Sequence, residues 1–326
     1  MFSRRLLSLI INTQHISREL HVSKSLLTAV IINGKAIAEE MRRELKSSVD
    51  AWVACDKRQP KLIAILVGDD QASKTYVGNK VRAAAAIGIL SETIFFGNDI
   101  SQTELIEKIK CLNNDDSVDG IIVQLPLPIG IEEKEICCAV APSKDVDGFH
   151  IENMGKLTLD RIGIAPATAL GVKELILRSK IDTIGKNAVI VGRSKHVGLP
   201  IALLLHADGK GETGALDMTT TICHRFTPHE QMKNFTKSAD VIVMAAGVPG
   251  LLTKDMVKPG ACVIDVGINR IKDNTGGSRL VGDVDFESVK KVAGYITPVP
   301  GGVGPMTVTM LMKNTFLASK RNQGER

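Results

Sequence analysis

The chain has 326 residues, 44% of them apolar and 24% charged, with a formal net charge of +5. This is ordinary globular usage, enough for about two domains of roughly 150 residues each, and it excludes wholesale disorder; 29 Gly and 12 Pro exclude a collagen-like or low-complexity chain. No apolar run approaches the roughly 18 residues of a bilayer span, aromatic residues at 3% are too sparse for a single-strand nucleic-acid platform, and the six cysteines form no CxxC pair, which reads as reduced thiols without a zinc site.

Residues 1–28 carry Arg4, Arg5, Arg18 and Lys24 against the single acid Glu19 and are rich in Ser, Leu and Ile. An Arg-rich, Ser-rich, acid-poor start has the composition of a mitochondrial transit segment. Without it the chain is nearly neutral, so charge gives no argument for a nucleic-acid partner.

From Asn33 onward strands and helices alternate. Ile37, Met41, Leu45, Val49 and Trp52 recur every three or four residues and predict a helix. Leu62 to Val67 reads as a buried strand closed by Gly68-Asp69-Asp70. Helices over about 73–87 and 103–112, with strands at 93–96 and 120–123, complete the first half. The stretch 141–170, with Pro142, Gly148, Gly155, Gly163 and Pro166, reads as the connection between halves. A second series has strands at 188–191, 219–223, 241–245 and 262–266 with helices between them, and a helical stretch over 306–319 follows. Continuous apolar strands alternating with helices predict an α/β fold with parallel sheets covered on both faces.

The segment Ala188–Pro200 is strand, tight turn and helix start, the arrangement that offers backbone N–H groups to a pyrophosphate. The G-x-G-x-x-G pattern is broken, because Ser194 stands between Gly192 and Gly198 where a second Gly is usual. The next strand ends in Cys223-His224-Arg225, where an NAD enzyme usually keeps an acid for the ribose. A cation there suits a phosphate, either the 2′-phosphate of NADP or a separate anion beside NAD, and Arg193 in the turn converges on the same point. Two solvated arginines are the plainer alternative.

In the first half, Ser73, Tyr76 and Lys80 share one helix face just beyond the end of a strand, the edge where open α/β sheets bind ligands. A Lys on a partly apolar surface can serve as acid or base; by spacing alone, a solvated Lys and a boundary Tyr fit as well. Gln124 directly follows a buried strand, and Lys144–Gly148 (KDVDG) sets two carboxylates in a turn, as caps or as acceptors for an amino-heterocycle. Thr297–Pro305 (TPVPGGVGP) is too rich in Gly and Pro for a plain connector.

Taken together, Gly68–Lys80 (GDDQASKTYVGNK), Gln124–Pro128 (QLPLP), Lys144–Gly148, Gly192–Gly198 (GRSKHVG) and Pro298–Thr307 (PVPGGVGPMT) resemble the methylenetetrahydrofolate dehydrogenase/cyclohydrolase family over about 29–320. The resemblance implies two α/β domains, the second a Rossmann-like doubly wound parallel sheet, with the catalytic cleft between them. It divides the chain into a folate-binding catalytic domain (29–165, joined by a C-terminal helix at 305–326) and an NAD(P)-binding domain (166–304), which would also form a homodimer. The implied chemistry is oxidation of 5,10-methylene-tetrahydrofolate to the methenyl cation, then hydrolysis to 10-formyl-tetrahydrofolate.

Residue by residue, the resemblance gives Lys80 the catalytic lysine place, Tyr76 the neighbouring substrate-packing place, and Gln124 the task of holding Lys80. It puts Ser73, Val77, Gly78, Asn79, Val123 and Leu125 at the substrate, Asp147 on the pterin amino and ring N–H groups, and Pro300, Gly301, Gly302, Val303 and Gly304 along the folate and nicotinamide. Gly192, Arg193 and Ser194 would hold cofactor phosphates and Ile268 would stand near the nicotinamide. Arg193, Arg225 and Asp217, with the leader, resemble the mitochondrial NAD-dependent branch, in which the arginines grip inorganic phosphate and Asp217 helps bind Mg²⁺. NADP use, a polyglutamylated folate and a matrix location are compatible expectations. Gln71 and Ala169 stand where relatives commonly have Pro; both fall in turns or helix starts, where Pro mainly sets φ. A different two-domain NAD(P) dehydrogenase, or a non-catalytic nucleotide binder of the same fold, is the competing interpretation; neither explains Tyr76, Lys80, Gln124 and Asp147 together.

Overall fold

The computed structural model of the chain describes residues 28–272 and 277–325. The predicted leader lies outside the described residues apart from Thr28. The first half comprises β1 (Val30–Ile31), α1 (Gly34–Ala54), β2 (Lys61–Val67), α2 (Gln71–Ile87), β3 (Leu90–Phe96), α3 (Gln102–Asn113), β4 (Gly120–Val123), α4 (Glu133–Ala139) and α5 (Ile151–Thr158). The second comprises α6 (Ala167–Arg178), β5 (Asn187–Val191), α7 (Gly198–His206), β6 (Thr219–Cys223), α8 (His229–Ser238), β7 (Val241–Met244), β8 (Cys262–Asp265), β9 (Asn269–Lys272), β10 (Ser278–Val281), α9 (Phe286–Val289), β11 (Tyr295–Ile296) and α10 (Val303–Asn322).

Local chemistry explains the helix bounds. The Asn33 side chain accepts the Ala36 N–H at 3.0 Å and opens α1, whose Met41, Leu45, Val49 and Trp52 form one buried stripe. Asp70 accepts the Ser73 N–H at 2.7 Å and starts α2, and Gly88 at φ 87° ends it. Gln71 is thus the first helical residue of α2, and Ala169 lies buried in the first turn of α6.

The first sheet is parallel in the order β3-β2-β4, and the second is a six-stranded sheet in the order β1-β11-β8-β7-β5-β6, parallel at every pairing. Side chains alternate between two apolar layers. Leu62, Ala64 and Leu66 of β2 enter a central core, whereas Ile63, Ile65 and Val67 enter an outer one under α3. Ala188 and Ile190 of β5 enter that same central core, and Val189 and Val191 a layer on the far face of the second sheet. One continuous core therefore lies between the two sheets and is filled by α1, α2, α6, α7 and α10.

The C-terminal helix closes this core. It packs on α6 and also on α1 and α2. The buried Asn314 amide donates to the Val146 carbonyl at 2.9 Å and the Ala165 carbonyl at 3.0 Å, tying α10 to both ends of the connection. Gln323 exchanges two hydrogen bonds with the Arg58 backbone, at 2.9 and 3.0 Å.

Several expectations change. The chain from residue 29 does not begin inside the first domain: Val30 and Ile31 pair with Tyr295 and Ile296 and form the edge of the second sheet. The 141–170 connection contains α5 and runs directly into α6, and Ile121 bridges to Asp145 within it. Between β7 and β8 there is a single 3₁₀ turn at Lys254–Met256 in place of a helix. An antiparallel hairpin, β9–β10, stands where no strand was expected. No described helix is long and apolar enough to cross a membrane.

Candidate active site

A cavity of about 810 Å³ opens where the two sheets face each other. From α2 come Tyr76, Asn79 and Lys80; from the segment after β11 come Pro300, Gly301, Gly302, Val303 and Gly304; from beyond β8 comes Ile268. Lys80 lies one turn beyond Tyr76 on the same helix, so α2 delivers both to one wall. The half-buried Lys80 Nζ donates to Gln124 Oε1 at 3.1 Å. Gln124 is fixed in turn: its backbone N–H donates to the Ile65 carbonyl at 2.9 Å and its side-chain amide to the Leu125 carbonyl at 2.6 Å. The amine is thus anchored to the end of β4, on the other side of β2 from β3.

The glycine-rich segment approaches α1 so closely that a Cβ at Gly34 would overlap the Gly302 carbonyl. The Lys35 N–H donates to the Gly301 carbonyl at 3.0 Å. Bulk at Gly34 would therefore displace this wall.

Other predicted substrate residues lie elsewhere. Val77 is part of the central core, Val123 belongs to the outer core of the first sheet, and Ser73 is buried in the first turn of α2. They support Tyr76, Lys80 and Gln124 from behind. Gly78 is half-buried, a Cβ there would touch only the Arg82 guanidinium at 3.8 Å, and the Asn79 side chain accepts from Arg82 at 2.6 Å. Of the two carboxylates in the 144–148 turn, Asp145 is structural: it accepts from the Gly148 and His150 N–H groups and the Asn153 amide at 2.8 to 3.0 Å. Asp147 is half-buried, makes no hydrogen bond to a described residue, and lies close enough to His196 to favour its protonated form. Burial outweighs this and pulls His196 below the usual histidine range. The His196 ring stacks on Phe149, with centroids 4.2 Å apart, joining the 192–198 loop to the Asp147 turn.

At the second sheet, β6 and β7 flank β5 on opposite sides, a topological switch point at which α/β sheets hold dinucleotides. Gly192 has φ 136°, and a Cβ there would overlap the Ala245 carbonyl at the end of β7. Gly198 is pressed equally closely against the Gly192 carbonyl. This tight turn leads straight from the end of β5 to the start of α7, the strand–turn–helix arrangement to which a pyrophosphate binds, so the residues present fit a dinucleotide. The Ser194 hydroxyl accepts the N–H groups of Val197 and Gly198 at 3.1 and 3.3 Å, capping α7 itself. The Arg193 and Arg225 guanidiniums are both exposed and converge on the Phe226 ring, 5.8 and 5.6 Å from its centre.

Asp217 does not join them. It precedes β6, whereas Arg225 follows it; eight residues of extended chain span on the order of 25 Å. Its backbone N–H donates to the Ala207 carbonyl at the far end of α7, and its exposed carboxylate accepts from the Gly209 N–H at 3.0 Å. Mg²⁺ takes one or two carboxylates together with phosphate oxygens and water, and this chain holds Asp217 and the arginines at opposite edges of the sheet. Among the described residues no cluster of three or more His, Cys, Asp or Glu is placed to hold a metal. Asp217 and the two arginines are therefore not gathered at one point by β6.

Sequence reasoning does not find Lys35, Arg42, Arg82 and Thr168, which also line the cavity. Arg82, three residues beyond Asn79 on the same helix, carries a local signal in its spacing; the others are brought in by tertiary packing.

Residues 32–147 match the family model described as the tetrahydrofolate dehydrogenase/cyclohydrolase catalytic domain, and residues 166–323 that of its NAD(P)-binding domain. The chain belongs to the tetrahydrofolate dehydrogenase/cyclohydrolase family. It is 57% identical over 294 residues to a human protein named bifunctional methylenetetrahydrofolate dehydrogenase/cyclohydrolase 2, mitochondrial, covering 90% of this chain and 85% of the relative. A 5,10-methylenetetrahydrofolate dehydrogenase from the silkworm Bombyx mori superposes with a TM-score of 0.86 at 52% identity, covering 91% of this chain and 100% of that one. The Trypanosoma brucei dehydrogenase-cyclohydrolase, solved with NADP and an inhibitor, superposes at 0.84 with 38% identity, covering 91% and 99%.

Proposed function

We propose that this one cavity carries both reactions of a bifunctional folate enzyme: oxidation of 5,10-methylene-tetrahydrofolate to 5,10-methenyl-tetrahydrofolate, then hydrolysis to 10-formyl-tetrahydrofolate. The observation that carries the reading is the Lys80–Gln124 hydrogen bond, 3.1 Å, on the wall of the cavity that Tyr76, Ile268 and the 300–304 segment also line. Tyr76 offers a ring face to the pterin and Asp147 an acceptor for its N–H groups. When bound, the dinucleotide supplies the hydride acceptor. Gln124 orients Lys80 Nζ, which takes a proton from the attacking water and returns it to the pterin N5 as the ring opens. The backbone of the glycine-rich segment forms the opposite wall and narrows access for bulk water.

Arg193 and Arg225 make an anion site, and the reading adopted is NAD with inorganic phosphate between the two guanidiniums. The Lys35, Arg42 and Arg82 rim suits the carboxylates of a polyglutamylated folate. The exposed Ile222 on β6, an edge strand, supports pairing of two copies through the cofactor domain. The leader's composition and the relatives named mitochondrial support a matrix location.

The test follows dinucleotide reduction by methylene-tetrahydrofolate with NAD and with NADP, in buffers with and without inorganic phosphate. NAD-linked turnover is expected to rise several-fold with phosphate, with NADP-linked turnover unaffected. Turnover without a phosphate response removes the anion assignment alone; no turnover with either dinucleotide removes the enzyme reading.

A further inference from the structure

Two buried carboxylates support the Ile268 wall: Asp265, which itself lines the cavity, and Asp283 behind it; neither has a role in the chemistry described above. Asp283 is fully buried and accepts three N–H groups: from Ala246 at 2.7 Å, Gly247 at 2.9 Å and the Asn269 amide at 2.8 Å. Asp265, 3% exposed at the end of β8, accepts the N–H groups of Gly267, Asp283 and Val284, each at 3.0 Å. The pair therefore forms a relay: Asp265 fixes the backbone of Asp283, and Asp283 fixes the chain beyond β7.

Ile268 lies between the two tethers. Gly267 is held by Asp265 on one side, and Asn269 by Asp283 on the other. The glycines facing the carboxylates show how closely the parts fit, since a Cβ at Gly267 would overlap the Asp283 carboxylate and one at Gly282 the Asp265 carboxylate. Burial pushes the Asp265 carboxyl up to about 6, against the backbone N–H groups that hold it down. An arrangement this desolvated, with every acceptor directed at a loop, indicates where rigidity is concentrated.

We propose that Asp265 and Asp283 are positioning residues for the dinucleotide half of the site alone: they tie the 267–269 segment at both ends and set where Ile268 stands against a bound nicotinamide. The proposal rests on the reading that places the nicotinamide at Ile268. Lys80, Gln124 and Tyr76 share no hydrogen bond with this relay, so the hydrolytic step is independent of it.

The test compares wild type, Asn269→Ala and Asp283→Asn by calorimetric titration with NAD, and by hydrolysis of methenyl-tetrahydrofolate with no dinucleotide present. Asn269 is half-buried, and its truncation removes one tether without opening the core. Re-ordering the freed segment on binding is expected to raise the Kd for NAD roughly three- to tenfold, with hydrolysis within about twofold of wild type. Asp283→Asn is expected to weaken binding less, because the Asn269 amide can turn and offer its oxygen. An Asn269→Ala Kd indistinguishable from wild type, or a parallel loss of hydrolysis, overturns the proposal. Wild type that binds no NAD overturns it together with the reading beneath it.

Discussion

Lys80→Met is expected to lower hydrolysis of methenyl-tetrahydrofolate by roughly 100- to 10,000-fold, the range for removing a positioned proton-transfer group. Met keeps the length and apolar stem of the side chain, so the half-buried channel along α2 stays filled. What is lost is the Nζ that donates to Gln124 Oε1 at 3.1 Å, and with it the group that moves a proton at the water and at N5. Gln124 is only half-buried and keeps its own bonds to the Ile65 and Leu125 carbonyls, so folding is expected to survive. The 192–198 loop makes no hydrogen bond to Lys80, and NAD affinity should stay close to wild type. Decay of methenyl absorbance measures the first effect and calorimetric titration the second; hydrolysis near the wild-type rate refutes the assignment.

Replacing Arg193 and Arg225 together by Ala is expected to abolish the phosphate response and to raise the KM for NAD at saturating phosphate by about 10- to 100-fold, a loss of roughly 1.5–3 kcal/mol in total from charge-assisted hydrogen bonds at these exposed side chains. Both guanidiniums already gather on the Phe226 ring, so like charges are held together where an anion offsets them. Each single variant should retain a weakened response, because the other arginine still offers a fork of donors. Hydrolysis without dinucleotide should not change. Initial rates across a phosphate series decide the matter, and a double variant that still responds to phosphate contradicts the assignment.

Much of this architecture is readable in the residues because buried parallel strands leave continuous apolar runs. The runs at 62–67, 188–191 and 262–266 have few other ways to satisfy their backbone. Lys80 and Gln124 are also accessible to sequence reasoning, since each immediately follows or faces a strand end. Other features depend on contacts that no local pattern records. Val30–Ile31 is a strand only because Tyr295–Ile296 lies beside it, far along the chain, and its own side chains are largely exposed. The core shared between the sheets depends on α10 returning to α1 and α6. The family resemblance groups Asp217 with Arg225, but the strand between them carries the two to opposite edges of the sheet. Val77 and Val123, next to functional residues along the chain, point away from them because neighbouring side chains alternate faces on a strand and rotate around a helix.

The central claim is that the Lys80 amine and the dinucleotide edge address a single folate in a single cavity. A crystal structure with a methylene-tetrahydrofolate analogue and NAD tests it most directly. The pteridine is expected against Tyr76, its one-carbon bridge about 3 Å from Lys80 Nζ or one water away, with the nicotinamide beside Ile268. A complex in which Nζ turns into bulk solvent, or in which folate and nicotinamide occupy separate cavities, contradicts the account.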